Sequence, residues 1–352
     1  AAGALAPKKA PQLRDGGPGG RDGCAGGGCE DAEAELHAEV ASGFQSRPER
    51  SSWEGRLRQV VDGARAQKPC NADVVARSYA RVAGFGSRMN SFADELLVGF
   101  YRGRSFALCN GSRDTFVRAV WATHFRNVAR FPTCNTGRAV CRHDNAWSPR
   151  LSQGLARADR AYLDDLKHFL YPYLFTLTRG AQERVDQRLL SAGVPLGEPY
   201  LAVHVRRGDK LVNEARRVEA GTYAEAARPF LALHSSSSRR DLLLRELRAA
   251  NASAVYVSSD DGRAAAELGA ELGGGVRIVQ QPRGSGQGYD SRGYEEGDDL
   301  MTLLADIEAM RRATVFVGTA SSNIGRLVYY LRPRGSATIS VDDEGDWLRR
   351  QV

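Results

Sequence analysis

The feature that most constrains this chain is an alternation that begins at Tyr200. Five short apolar runs, "YLAVHV", "AVYVSS", "VRIVQQ", "TVFVGT" and "SATISV", are separated by stretches of helical spacing at 222–250, 262–272, 298–312 and 321–331. Strands that are apolar on both faces and alternate with helices pack as a parallel, doubly wound sheet with helices on each side. The expected fold class is therefore α/β. In such a sheet, ligands bind beyond the carboxyl ends of the strands. Here those ends are followed by polar residues. Arg206-Arg207-Gly208-Asp209 follows the first strand, Ser258-Ser259-Asp260-Asp261 the second, and Thr319-Ala320-Ser321-Ser322-Asn323 the fourth. The third is followed by "PRGSGQGYDSRGYEEGD", a polar, glycine-rich loop long enough to act as a flap over a site.

Residues 70–195 read as an earlier α/β unit. The turn Gly84-Phe85-Gly86-Ser87 precedes a helix that places Met89, Phe92, Leu96 and Leu97 on one face. "SFALCN" follows as a strand. The stretch from Ala158 to Leu190 is helical in pattern, with an interruption expected at Pro172. Pro195 to Pro199 is a short linker. Residues 1–30 are glycine, proline and charge; they hold too little apolar surface to fold and read as a flexible tether. Residues 31–68 form a helical lead-in. The expected organisation is a stem and lead-in over 1–68, an N-terminal α/β lobe over 69–198 and a C-terminal nucleotide-binding lobe over 199–352.

The charge balance narrows the partners. Lys and Arg number 49 against 42 Asp and Glu, an excess of 49 − 42 = 7. The arginines are scattered and no basic block carries interleaved aromatics, which argues against a nucleic-acid partner. An anionic small ligand such as a nucleotide diphosphate accounts for them. No apolar run is long enough to span a membrane. The chain begins at Ala1 rather than methionine and so reads as a fragment or processed form, compatible with a membrane anchor upstream. Six cysteines, Cys24, Cys29, Cys70, Cys109, Cys134 and Cys141, include no CxxC pair. That disfavours zinc, and the even number suits disulfides in a secretory compartment, with fifteen pairings open. The sequons at Asn110 and Asn251 agree with that compartment.

Each candidate group has two readings. Ser321 or Ser322 can cap the following helix, or the helix start can take a phosphate on its free N–H groups. Arg206 can grip a diphosphate, or pair at the surface with Asp209 or Glu214. His204, taken by itself, reads as a packed core histidine. Gly84 and Gly86 do not complete a dinucleotide fingerprint, because Met89 stands where its last glycine belongs; they can still admit a ligand close to the backbone. The "RGD" at Arg207–Asp209 directly follows a buried strand and is no adhesion motif. Asp298-Asp299 and Asp342-Asp343 do not form an Asp-x-Asp after a strand, so a metal-held nucleotide is disfavoured.

Taken in order, "GFGSRMNSF", "FLYPYL", "HVRRGDKLVNE", "VYVSSDD", "LADIEAM", "VFVGTASSNIGRLVYYL" and "SVDDE" resemble the α1,6-, α1,2- and protein-O-fucosyltransferase superfamily. The similarity is greatest to its core α1,6 group and covers roughly residues 70–345. The resemblance implies a GT-B-like fold with two facing Rossmann-like lobes. It also implies transfer of fucose from GDP-fucose with inversion, no required metal and no cofactor, and a Golgi or secretory-lumen setting for a type II membrane protein. The acceptor it implies is a glycan, an N-glycan core in the α1,6 group, bound on the N-terminal lobe. Another oligosaccharide, a protein Ser/Thr, or a binding homologue without turnover stand as alternatives.

Residue by residue, the resemblance assigns Arg206 to the β-phosphate with Arg207 in support. His204 and Asp306 are assigned to guanosine, and Asp260 and Asp261 to the nucleotide pocket. Ser321, Ser322, Asn323 and the backbone near Gly84, Gly86 and Ser87 are assigned to the phosphates. Glu214 holds the place of the acceptor base, and Lys210 is its neighbour. It also suggests Cys70–Cys134 and Cys109–Cys141 as disulfides. The sequence differs from the animal α1,6 enzymes, which carry a long helical coiled region before the catalytic part and an SH3-like domain after it, in its short lead-in and in stopping soon after Asp343.

Overall fold

A computed structural model describes residues 75–77, 84–101, 106–109, 123–127, 133–134, 160–207, 218–227, 252, 254–273, 275–282 and 298–342. Glu214, Lys210, Cys70, Cys141, both sequon asparagines, the loop 283–297 and residues 1–68 lie outside that set. All the described elements belong to one compact unit, Val40–Val352.

The first part of the chain forms a small parallel sheet of β1 (Val75–Arg77), β2 (Phe106–Cys109) and β3 (Thr133–Cys134), in that order. Its register sets Cys109 opposite Cys134; the suggested partners of these two, Cys141 and Cys70, lie outside the described residues. Helix α1 (Phe85–Tyr101) carries Met89, Phe92, Leu96 and Leu97 into the core, as their spacing predicts. Only Gly84 precedes this helix; Gly86 and Ser87 are inside its first turn.

Helix α2 (Arg160–Leu174) runs through Pro172 rather than breaking there. Pro172 lacks the N–H that would bond the His168 carbonyl, and its ring crowds that carbonyl, but the loss falls on one turn near the end and does not break the helix. The freed end is tied down by Thr176 Oγ1, which donates to the Pro172 carbonyl at 2.6 Å, and by Asn127 Nδ2, which donates to the Tyr173 carbonyl. The break comes at 175–178, where the Thr178 hydroxyl caps α3 (Arg179–Ser191).

The second sheet is the one the alternation predicts. Its strands are β4 (Leu201–Val205), β5 (Ala254–Ser259), β6 (Arg277–Val279), β7 (Val315–Gly318) and β8 (Thr338–Ser340). All are parallel, in the order β6-β5-β4-β7-β8. The central strands β4, β5 and β7 are buried along their whole length. Leu201, Val203, Val205, Val255, Val257 and Val317 meet α4 (Ala220–Ala227) and α5 (Ala264–Leu272) on one face. Ala202, Tyr256 and Phe316 join the core of α6 (Asp298–Arg312) and α7 (Asn323–Leu331) on the other, together with residues of α1, α2 and α3. Each large apolar side chain fully buried in this way contributes about 1.5–3 kcal/mol, so the two-faced burial outweighs any single polar contact in selecting the fold.

The strand order fixes the place of a site. Chain connections run outward from β4 toward β5 and β6, then reverse to β7 and β8. The reversal opens a crevice between the carboxyl ends of β4 and β7, the position at which doubly wound sheets bind ligands.

Candidate functional site

One wall of the crevice is the end of β4. Arg206 Nη1 donates to Asp260 Oδ2 at 2.5 Å, and the main-chain N–H of Arg207 donates to Asp260 Oδ1 at 2.8 Å. Asp260 lies just past β5, the neighbour of β4, so parallel pairing brings the two strand ends together. Among the described residues, Asp260 is therefore a carboxylate partner of Arg206, while Asp209 and Glu214 lie outside the described residues. The Arg207 guanidinium turns away, to Glu267 on α5 and to Asp261 at 3.6 Å. Burial opposes its charge, but the hydrogen bond and charge of Glu267 prevail and hold it above the usual arginine value. Asp261 accepts from the Arg263 main chain, and that bond holds its carboxyl below the usual range.

The two adjacent arginines thus have different tasks. The Arg207 side chain is 3% exposed and braces α5 against the strand end, whereas that of Arg206 keeps 18% exposure. Arg206 is the one placed to meet a ligand.

The opposite wall is the turn from β7 into α7. The Ser322 hydroxyl accepts from the Gly325 N–H, so the capping reading holds for this serine. The N–H groups of Ala320 and Ser321 both donate to the carboxylate of Asp342. Asn323, the first residue of α7, accepts from Arg326 on its side-chain oxygen.

The third wall is the start of α1, which lies directly against the start of α7. A Cβ on Gly86 would sit 2.8 Å from Asn323 C and Ile324 N. Both are backbone atoms, so the helices can approach this closely only because residue 86 is glycine. Asn90 ties the seam: its Nδ2 donates to the Asn323 carbonyl at 3.0 Å, and Tyr171 donates to its Oδ1 at 3.1 Å. Two helix N-termini, each carrying a partial positive charge, are thereby held side by side. Their combined partial charge favours an anion beside the paired ends.

His204 and Asp306 lie deeper. His204, on the face of β4 that carries Ala202, is 3% exposed and stands in register with Ser258. Asp306 is fully buried on α6 and accepts from Tyr256, Ser258 and Gln281. Together they form a polar layer under the crevice floor. The structure joins Arg206 to Asp260, Ser321 to Asp342 and Gly86 to Asn323, while Glu214 and Lys210 fall outside the described residues.

Asn90, Glu267, Arg326 and Asp342 were not singled out for this site by the sequence. Only Asp342 carried a usable signal, since it follows β8 at the ligand end of the sheet.

No family model matches the chain, and no curated protein matches it. Among solved structures, it is similar to an arginine-to-lysine mutant of FUT1 from Arabidopsis thaliana in complex with GDP. That likeness has 14% identity over 87% of this chain and 80% of the other, with a TM-score of 0.42. It is also similar to POFUT1 in complex with GDP-fucose, at 14% identity over 78% of this chain and 99% of the other, with a TM-score of 0.43.

Proposed function

We propose that this chain is an inverting glycosyltransferase that moves fucose from GDP-fucose to a glycan hydroxyl. The observation that supports the reading is the topological switch point between β4 and β7, where β4 runs into Arg206 and β7 runs into the start of α7. Two helix N-termini also meet at Gly86 and Asn323. A nucleoside diphosphate is the ligand class that fits such a site. The ordered motifs of the sequence narrow the sugar to fucose and the acceptor to an N-glycan, with α1,6 transfer to its core GlcNAc.

In the reaction, the bond between fucose C1 and the β-phosphate oxygen breaks, and its electron pair leaves on GDP. The acceptor hydroxyl oxygen bonds to C1 from the opposite face. Glu214 takes the hydroxyl proton, and Lys210, four residues earlier in the sequence, is assigned to support it. Arg206 and the helix ends stabilise the charge that grows on the departing diphosphate, so the chemistry calls for no metal.

Glu214→Gln is expected to lower turnover of GDP-fucose with an N-glycan acceptor by at least about a hundredfold, the usual scale for a lost general base. GDP affinity should stay within about twofold. Steady-state rates and a GDP titration on the same protein measure both. Wild-type turnover in this variant would remove Glu214 as the base.

A further inference from the structure

We propose that Asp342 is a positioning residue: its carboxylate anchors the β7–α7 turn so that the start of α7 faces the diphosphate. The proposal rests on the nucleotide-sugar reading of the crevice.

Asp342 is the second residue beyond β8. Its Oδ1 accepts the Ala320 N–H at 2.6 Å and the Ser340 hydroxyl at 2.8 Å, and its Oδ2 accepts the Ser321 N–H at 3.2 Å. Two consecutive main-chain N–H groups form a concavity that binds anions, and here a side chain of the protein fills it. The same turn is held from its other side by Arg326 Nη1, which donates to the Ala320 carbonyl at 2.7 Å. Strand pairing supports the arrangement, because Val341 N–H donates to the Gly318 carbonyl and carries the β7–β8 ladder up to the turn. Residues 320–323 are therefore fixed by one anion and one cation, each from a different element.

This has a consequence for the ligand. With the amides of Ala320 and Ser321 already bonded to Asp342, a phosphate does not take them. It meets the start of α7 and Arg206. Asp342 would then aid binding without touching the nucleotide. The opposite possibility is that it competes for the site, and the two predict opposite signs.

The experiment is calorimetric titration of GDP into the full chain and its Asp342→Ala variant, with amide hydrogen exchange across 318–326 on both. The expected result is about tenfold weaker GDP binding, a change of about 1.4 kcal/mol. Exchange at Ala320 and Ser321 should be faster. Asp342→Glu, which keeps the carboxylate, should recover part of the affinity. Faster exchange with unchanged GDP affinity would reduce Asp342 to a structural contact. Tighter binding would mean that it competes with phosphate. Either result overturns the proposal. If the wild-type chain itself fails to bind GDP, the nucleotide reading falls and takes this proposal with it. If Asp342→Ala does not fold, Ser340→Ala removes one of the three donors to the same carboxylate and should weaken GDP about two- to threefold; no change would count against the anchor.

Discussion

Arg206→Ala is expected to lower turnover of GDP-fucose by about a thousandfold, the scale seen when one preorganised donor to a developing anion is removed. The argument rests on where its guanidinium sits. It lies at the end of a strand buried along its length, held by Asp260, with 18% of the side chain exposed. A group held this way need not reorganise as charge moves onto the leaving diphosphate. GDP affinity should fall less than turnover, because the charge Arg206 meets is largest in the transition state. Arg206→Lys keeps the positive charge but loses the planar fork, so it should recover only part of the rate. Initial-rate kinetics with thermal melting as a folding control separate these effects. Near-wild-type turnover in Arg206→Ala would place the charge stabilisation elsewhere.

The largest effect on stability is expected at Arg332. This arginine is 2% exposed, and its guanidinium has no carboxylate hydrogen-bond partner among the described residues. Nη1 donates to the carbonyls of Met310, Arg311 and Ala313 at 2.9, 3.1 and 2.7 Å, and Nη2 to those of Thr314 and Ala337. It thus caps the carboxyl end of α6, whose last carbonyls have no partner within the helix, and ties that end to the strand entering the sheet edge. Burial lowers its pKa to about 10, which still leaves it charged at neutral pH.

Arg332→Met fills a similar volume but strands several buried carbonyls. The expected cost is about 3–5 kcal/mol, seen as a drop of roughly 5–10 °C in melting temperature. Arg334, two residues on, offers a contrast. Its ion pair with Asp165 is half exposed, and Arg334→Ala should cost less than about 1 kcal/mol. Equal losses at the two positions would mean that the buried cap contributes no more than a surface pair.

The sheet was legible in the sequence because strands buried on both faces cannot hide their composition. β4, β5 and β7 fall where the apolar runs place them, and α6 spans the 298–312 read from spacing. The start of α7 shifts from 321 to Asn323 because Ser322 stands outside the helix as its cap. Arg206 was legible because a strand end in this topology is a ligand position. Its partner was not, because Asp260 lies 54 residues away and reaches it only through β4–β5 pairing. Asn90, and the partners of Asp342, were hidden for the same reason. Asn90 meets Asn323 across 233 residues, and Asp342 meets Ala320 only once β8 lands beside β7. Sequence pattern identifies which end of a sheet is functional. It does not reveal which carboxylates neutralise the arginines there, because that depends on tertiary neighbours.

The most direct test of the central claim is calorimetric titration of GDP, with ADP and UDP alongside, into the full chain in the presence of EDTA. The account predicts that GDP binds without a divalent metal, more tightly than ADP or UDP, and that Arg206→Ala weakens it. Failure to bind GDP, or binding only when a divalent metal is restored, would contradict it.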